Sequence, residues 1–157
     1  MNNQIRLPHA GLGFVHLKTM ALASISAPTQ QSRASKRTII IVDDDRDTAD
    51  MLALALSLEG YQAHEAYNAA SALLLANEIC PDVIITDIGM PEMSGIELAK
   101  GLRLTLGDKV RLIALTGHAA KTIRIESREA GFDYYVLKPI SCEDLIPYIE
   151  AETFETE

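Results

Sequence analysis

Four short apolar runs and one mixed segment punctuate the chain from Thr38 onward, each followed by a polar or glycine-rich turn. Thr38-Ile39-Ile40-Ile41-Val42 and Val83-Ile84-Ile85 are β-branched and too short for helices, so they read as strands buried on both faces. Tyr61–Ala66, Val110–Leu115 and Tyr134–Leu137 read as three further strands. The segments between them carry helical patterns. Arg46–Glu59 is ambiguous, because Leu52, Leu54, Leu56 and Leu58 alternate with the period of a strand. Ala and Leu are strong helix formers, acids crowd its start and Gly60 closes it, so a helix is expected, with Met51, Leu54, Ala55 and Leu58 sharing one face. Asn68–Glu78 and Ile96–Leu106 are the next helices, the latter with Leu98, Leu102 and Leu106 stacked. Thr122–Ala130 is a weakly apolar one. The last helix starts at Ser141, where Asp144 completes a capping-box-like pair, and Pro147 shortens or kinks it.

Strands alternating with helices predict an α/β protein with a doubly wound, five-stranded parallel sheet and helices on both faces. In such sheets ligands bind beyond the carboxyl ends of the strands. Asp43 and Asp44 follow the first strand, Asp87 the third, Thr116 the fourth and Lys138 the fifth, so they converge on one edge. Gly89, Pro91 and Gly95 force a loop straight after Asp87. Neighbouring carboxylates repel one another unless a cation sits among them, and hard oxygen ligands at a solvent-facing edge suit Mg²⁺. The Lys138 ammonium and the Thr116 hydroxyl add donors for phosphoryl oxygens, and Asp87 is the best-placed nucleophile. Asp45 and Asp47 read as helix-terminus charges.

Composition sharpens this reading. The 157 residues suit one domain, and the net charge of −8 is unevenly spread. Residues 1–37 hold five basic residues and no acid; subtracting these from the 14 in the chain leaves nine against 22 acids from Thr38 onward. An acidic domain of this kind is not expected to bind nucleic acid directly. Residues 1–37 read as a basic, flexible tail dispensable for phosphorylation, and Lys18 interrupts the one stretch resembling a signal peptide. Met20 is a second candidate start. Residues 38–151 form the expected domain, and 152–157 a short acidic tail too small for an output domain. Cys80 and Cys142 lack metal-binding spacing and read as packing residues of a cytoplasmic protein. No apolar run approaches the roughly 18–20 residues of a membrane span.

The blocks Ile39–Asp45, Asp87–Gly95, Thr116–Ala119 and Tyr135–Pro139 resemble, in order and spacing, the response-regulator receiver domain of two-component signalling. The resemblance covers about residues 38–150, and Thr38–Leu58 and Thr116–Ala119 are most similar to receivers of hybrid histidine kinases. It implies a flavodoxin-like sheet of strand order 2-1-3-4-5. It also implies that Asp87 accepts phosphate from a histidine kinase or phosphotransfer protein. Asp44, Asp87 and the backbone carbonyl of Gly89 would be Mg²⁺ ligands, with Asp43 in the outer shell. Lys138 would contact the phosphoryl group, Thr116 and Tyr135 would form the switch pair, and the Lys138–Pro139 bond would be cis. Gly89 and His118 would help set the lifetime of the acyl phosphate. A homodimer formed on phosphorylation is compatible with this family.

Two function classes compete. One is a non-enzymatic switch or phosphate relay, including a phosphate sink. The other is a phosphohydrolase of the haloacid dehalogenase type, which needs an aspartate two residues after the nucleophile, where this chain has Gly89.

Overall fold

The computed structural model of the chain describes residues 37–151. Of the tails read from the sequence, residues 1–37 and 152–157, all but Arg37 lie outside them. Five strands, β1 (Thr38–Val42), β2 (Gln62–Ala66), β3 (Val83–Asp87), β4 (Arg111–Thr116) and β5 (Tyr134–Leu137), form one sheet. All pairings are parallel and the order is β2-β1-β3-β4-β5. Helices α1 (Arg46–Leu58), α2 (Ala69–Ile79), α3 (Gly95–Leu106), α4 (Lys121–Glu129) and α5 (Cys142–Glu150) connect the strands or follow the last, with a short 3₁₀ turn at Gly107–Lys109.

The pleat explains the two layers, because successive strand residues point to opposite faces. Ile39, Ile41, Val83, Ile85, Ile113 and Leu115 pack with α1 and α5. Ile40, Val42, Ile84, Leu112 and Ala114 pack with α2 and α3. β1, β3 and β4 carry apolar residues toward both layers, which is why their runs show no alternation.

Each of four helices begins at a side chain that accepts an orphan amide. Asp45 caps α1, Asn68 caps α2, Ser94 and Glu97 form a full capping box on α3, and Ser141 caps α5. Helix α4 starts at Ala120 without a side-chain cap. Pro147 lies inside α5, a helix of nine residues. The carboxyl end of α5 is held by buried Arg111, which donates to the carbonyls of Ile149 (2.6 Å) and Ala151.

One helix face reads differently in the structure. Met51, Leu54 and Leu58 are 72%, 62% and 74% exposed, whereas Ala49, Ala53 and Leu56 are buried and Leu52 is partly buried. Residues 49, 52, 53 and 56 have the same helical spacing as 51, 54, 55 and 58, so periodicity alone fits either face. The buried face is the one whose alanines let the helix lie close to the sheet. Cys80 is likewise exposed at the left-handed C-cap of α2 (φ 47°), not packed in the core.

Candidate functional site

Asp43, Asp44 and Asp45 follow β1 directly and have three different environments. The backbone amide of Asp43 donates to the carbonyl of Ala66 (3.2 Å), which extends the β1–β2 ladder, and the residue is only 4% exposed. One of its oxygens accepts from the Asp45 amide (3.0 Å) and the other from Lys138 Nζ (2.8 Å). Asp45 turns away and caps α1, accepting from the amides of Asp47 (3.1 Å) and Thr48 (3.3 Å). Asp44 remains exposed. Asp43, Asp44 and Asp87 each offer an oxygen within 4.8 Å of the others.

Asp87 ends β3. Its carboxylate accepts from Lys138 Nζ at 2.8 Å, and the buried Thr86 hydroxyl donates to its carbonyl (2.9 Å). The loop after it folds back tightly: the Gly95 amide donates to the Ile88 carbonyl (3.1 Å). A Cβ on Gly95 would lie 2.3 Å from the Asp87 carbonyl oxygen, so only glycine fits there. Gly95 therefore opens α3 and does not belong to the loop. Gly89 runs close beside the acceptor, where an added Cβ would be 3.4 Å from Asp87 Oδ2.

Lys138 follows β5, and its amide bonds to the Thr116 carbonyl (2.8 Å), fixing the side chain beside the acids. The Lys138–Pro139 peptide is cis. Burial would lower the pKa of this ammonium, but hydrogen bonds to Asp43 and Asp87 outweigh burial and hold it above the usual lysine range. Thr116 ends β4, buried. Its hydroxyl accepts from the His118 amide (3.1 Å), while the Tyr135 hydroxyl donates to the His118 carbonyl. The amide and carbonyl of His118 in the β4–α4 loop are thus tied to the end of β4 and to Tyr135 within β5. Tyr134, by contrast, packs edge-on against Tyr148 at 5.3 Å.

Asp43, Asp44, Thr116 and Lys138 thus lie with Asp87 at the carboxyl ends of the strands, Gly89 in the loop after β3 and His118 in the loop after β4, whereas Tyr135 lies within β5. Thr86, the close approach of Gly95 and the clamp on the His118 peptide escaped sequence reading, since none alters a hydrophobic period or a motif.

The donor set fits a small hard dication. Three carboxylates face one ammonium, leaving two negative charges uncompensated.

The family model described as "Response regulator receiver domain" matches residues 39–150. An uncharacterized 14.6 kDa protein of Leptolyngbya boryana is 38% identical over 113 residues, covering 71% of this chain and 86% of that protein. The response regulator MprA of Mycobacterium avium is 34% identical over 113 residues, 72% of this chain; the chain spans about half (49%) of that regulator's length. Chemotaxis protein CheY4 of Vibrio cholerae superimposes with a TM-score of 0.69 at 27% identity, covering 73% of this chain and 96% of that one. A response regulator of Burkholderia pseudomallei, crystallised with a phosphorylated aspartic acid, calcium ion and citrate, gives a TM-score of 0.69 at 28% identity, covering 74% of this chain and 68% of that one.

Proposed function

This chain belongs to the response-regulator receiver family, and we propose that within it Asp87 is the phosphoacceptor of a two-component switch. The observation that carries this reading is the Lys138 ammonium 2.8 Å from both Asp87 and Asp43, in an acidic cluster suited to a dication. An Asp87 oxygen forms the new O–P bond as the P–N bond of a phosphohistidine breaks, its electron pair returning to the imidazole nitrogen. Lys138 and the Thr116 hydroxyl bind the phosphoryl oxygens. Asp44, Asp87 and the Gly89 carbonyl would hold Mg²⁺, with Asp43 in the outer shell, and the ion would supply charge neutralisation there. The phosphorylated aspartate with calcium in the Burkholderia pseudomallei structure supports this chemistry here.

The donor is a histidine kinase or phosphotransfer protein. Supporting this, an apolar groove of about 600 Å³ lies beside Lys138, lined by residues including Met51, Leu52, Ala55, Pro139 and Ile140. Exposed Met51 joins this groove to the outer face of α1, which also carries Leu54 and Leu58. A helix bearing the donor histidine would meet an apolar surface next to the acceptor.

The signal leaves through Thr116 and Tyr135. Turning toward the phosphoryl oxygens releases the His118 amide from Thr116, and the Tyr135 ring follows its loop. Gly89 leaves Asp87 Oδ2 open and His118 is exposed, so both positions bear on how fast the acyl phosphate hydrolyses. We assign the protein to the cytoplasm, and a homodimer formed on phosphorylation is one form the output takes; among the described residues no helix is long and apolar enough to cross a membrane. Intact-protein mass after incubation with acetyl phosphate tests the assignment. One added phosphoryl group is expected with Mg²⁺ and none in EDTA or in Asp87→Asn. Equal labelling in EDTA would defeat it.

A further inference from the structure

Helix α4 is attached very unequally at its two ends. Gly117 to Thr122 are all exposed, the helix starts without a side-chain cap, and burial begins only with half-buried Ile123. The carboxyl end is different. Ser127, Ala130 and Phe132 are buried, and one side chain from α3 reaches across to hold the turn. Arg103 donates to the Gly131 carbonyl from both Nε (2.9 Å) and Nη2 (2.7 Å), and Nη2 also reaches Asp133 Oδ2 at 2.9 Å. Its Nη1 donates to the carbonyls of Gly107 (2.8 Å) and Val110 (2.7 Å). Asp133 Oδ2 in turn accepts from the Leu112 amide of β4 (2.7 Å). The guanidinium fork therefore joins the end of α3, the start of β4 and the end of α4.

Gly131 makes this approach possible. Its φ is +96°, and a Cβ there would lie 2.9 Å from Arg103 Cγ and Nε. Lysine could not replace Arg103, because a single ammonium cannot present several donors in a fixed plane to acceptors on two sides. Each charge-assisted bond to a half-buried carbonyl is stronger than a neutral one, so this end is the costly one to move.

We infer that Arg103 is the hinge pin of α4, so that the helix moves as a lever about Gly131 with its displacement greatest at Lys121. This goes beyond the proposed switch and rests on it only for what drives the lever; the attachment itself exists without phosphate. A pinned lever delivers motion to the exposed first turns of α4, including Ile125, and leaves Phe132 and the start of β5 in place. Without the pin the whole helix slides, and motion passes to β5 as well.

Residue-resolved amide exchange tests the hinge in the unphosphorylated chain first. Hydrogen-bonded amides of Ala130, Gly131 and Phe132 are expected to exchange at least tenfold more slowly than those of Arg124 to Glu126. Arg103→Lys should shrink this ratio at least fivefold while β3 amides keep their protection, which shows that the variant is folded. Equal protection along α4 in the wild type overturns the hinge without reference to any variant, as does an unchanged ratio in a folded Arg103→Lys. Beryllofluoride with Mg²⁺ then separates the hinge from the function reading. With the hinge, changes within the β4–α4 loop and α4 are confined to Gly117–Glu126, beside those around Asp87 itself. If amides beside Asp87 respond but Ala130–Phe132 change as much as Arg124–Glu126, the hinge is wrong and the acceptor stands. If nothing responds while the resting ratio and its loss in Arg103→Lys hold, the hinge stands and the acceptor assignment fails.

Discussion

Replacing Gly95 by alanine separates the geometry of the acceptor loop from its chemistry, because it adds one methyl group and no charge. The new Cβ would stand 2.3 Å from the Asp87 carbonyl oxygen and 3.0 Å from Ile88 Cα, both backbone atoms that cannot rotate away. Restoring ordinary contact requires Asp87 and the start of α3 to separate by about 1 Å. Overpacking of this kind typically costs about 1–3 kcal/mol. Alanine in place of glycine in a helix recovers at most about 1 kcal/mol. The net expectation is destabilisation by about 1–2 kcal/mol, with the Gly95–Ile88 hydrogen bond strained or lost. The larger effect falls on reactivity, since misplacing a reacting group by about 1 Å costs on the order of 100-fold in rate. Gly101→Ala in the same helix is the control, because its Cβ would make only ordinary contact with Leu73 at 3.4 Å. It should be neutral or more stable by up to about 1 kcal/mol and label normally. Urea unfolding gives the stabilities, and the initial rate of acetyl phosphate labelling at saturating Mg²⁺ gives the reactivity. Wild-type stability and rate in Gly95→Ala would refute the claim that this close approach positions Asp87.

Leu56→Ala should cost about 2–5 kcal/mol in urea unfolding, because the side chain is fully buried, whereas Leu58→Ala should stay within about 0.5 kcal/mol. The reverse order would restore the opposite face of α1. Lys138 has a raised pKa, so its favourable pairing is complete below the usual lysine value of about 10.4 and is lost as pH climbs through the higher native value. The stability gap between wild type and Lys138→Met should therefore be flat from neutrality to about pH 9.5 and close above it; closure at pH 7–8 would contradict the pairing. Tyr135→Phe removes the donor to the His118 carbonyl, and a neutral hydrogen bond of about 1 kcal/mol corresponds to roughly fivefold faster exchange of the His118 amide. Unaltered exchange would show that Tyr135 does not hold the loop.

The strands β1 and β3 were legible because apolar runs of β-branched residues admit few alternatives, whereas β2 (Gln62–Ala66) has none and the strand order came from the family resemblance. The topology then brought Asp43, Asp44, Asp87, Thr116 and Lys138 to one edge without any tertiary information. The face of α1 was not legible. Its apolar residues satisfy two helical stripes at once, and the large side chains that look like core remain outside while Ala49 and Ala53 go in. The role of Arg103 left no trace either, because its partners are mostly backbone carbonyls, which every sequence supplies. Thr86 and Gly95 are of the same kind: what matters is the distance to one backbone oxygen, and no residue pattern encodes it.

The central claim, that Asp87 itself carries the phosphoryl group, is tested most directly by trapping the acyl phosphate. Sodium borohydride reduces an aspartyl phosphate to homoserine, which marks the modified position permanently for peptide sequencing by mass spectrometry. After phosphorylation with Mg²⁺ and reduction, homoserine is expected at position 87 and at no other aspartate. Homoserine at position 43 or 44, with Asp87 unmodified, would contradict the account.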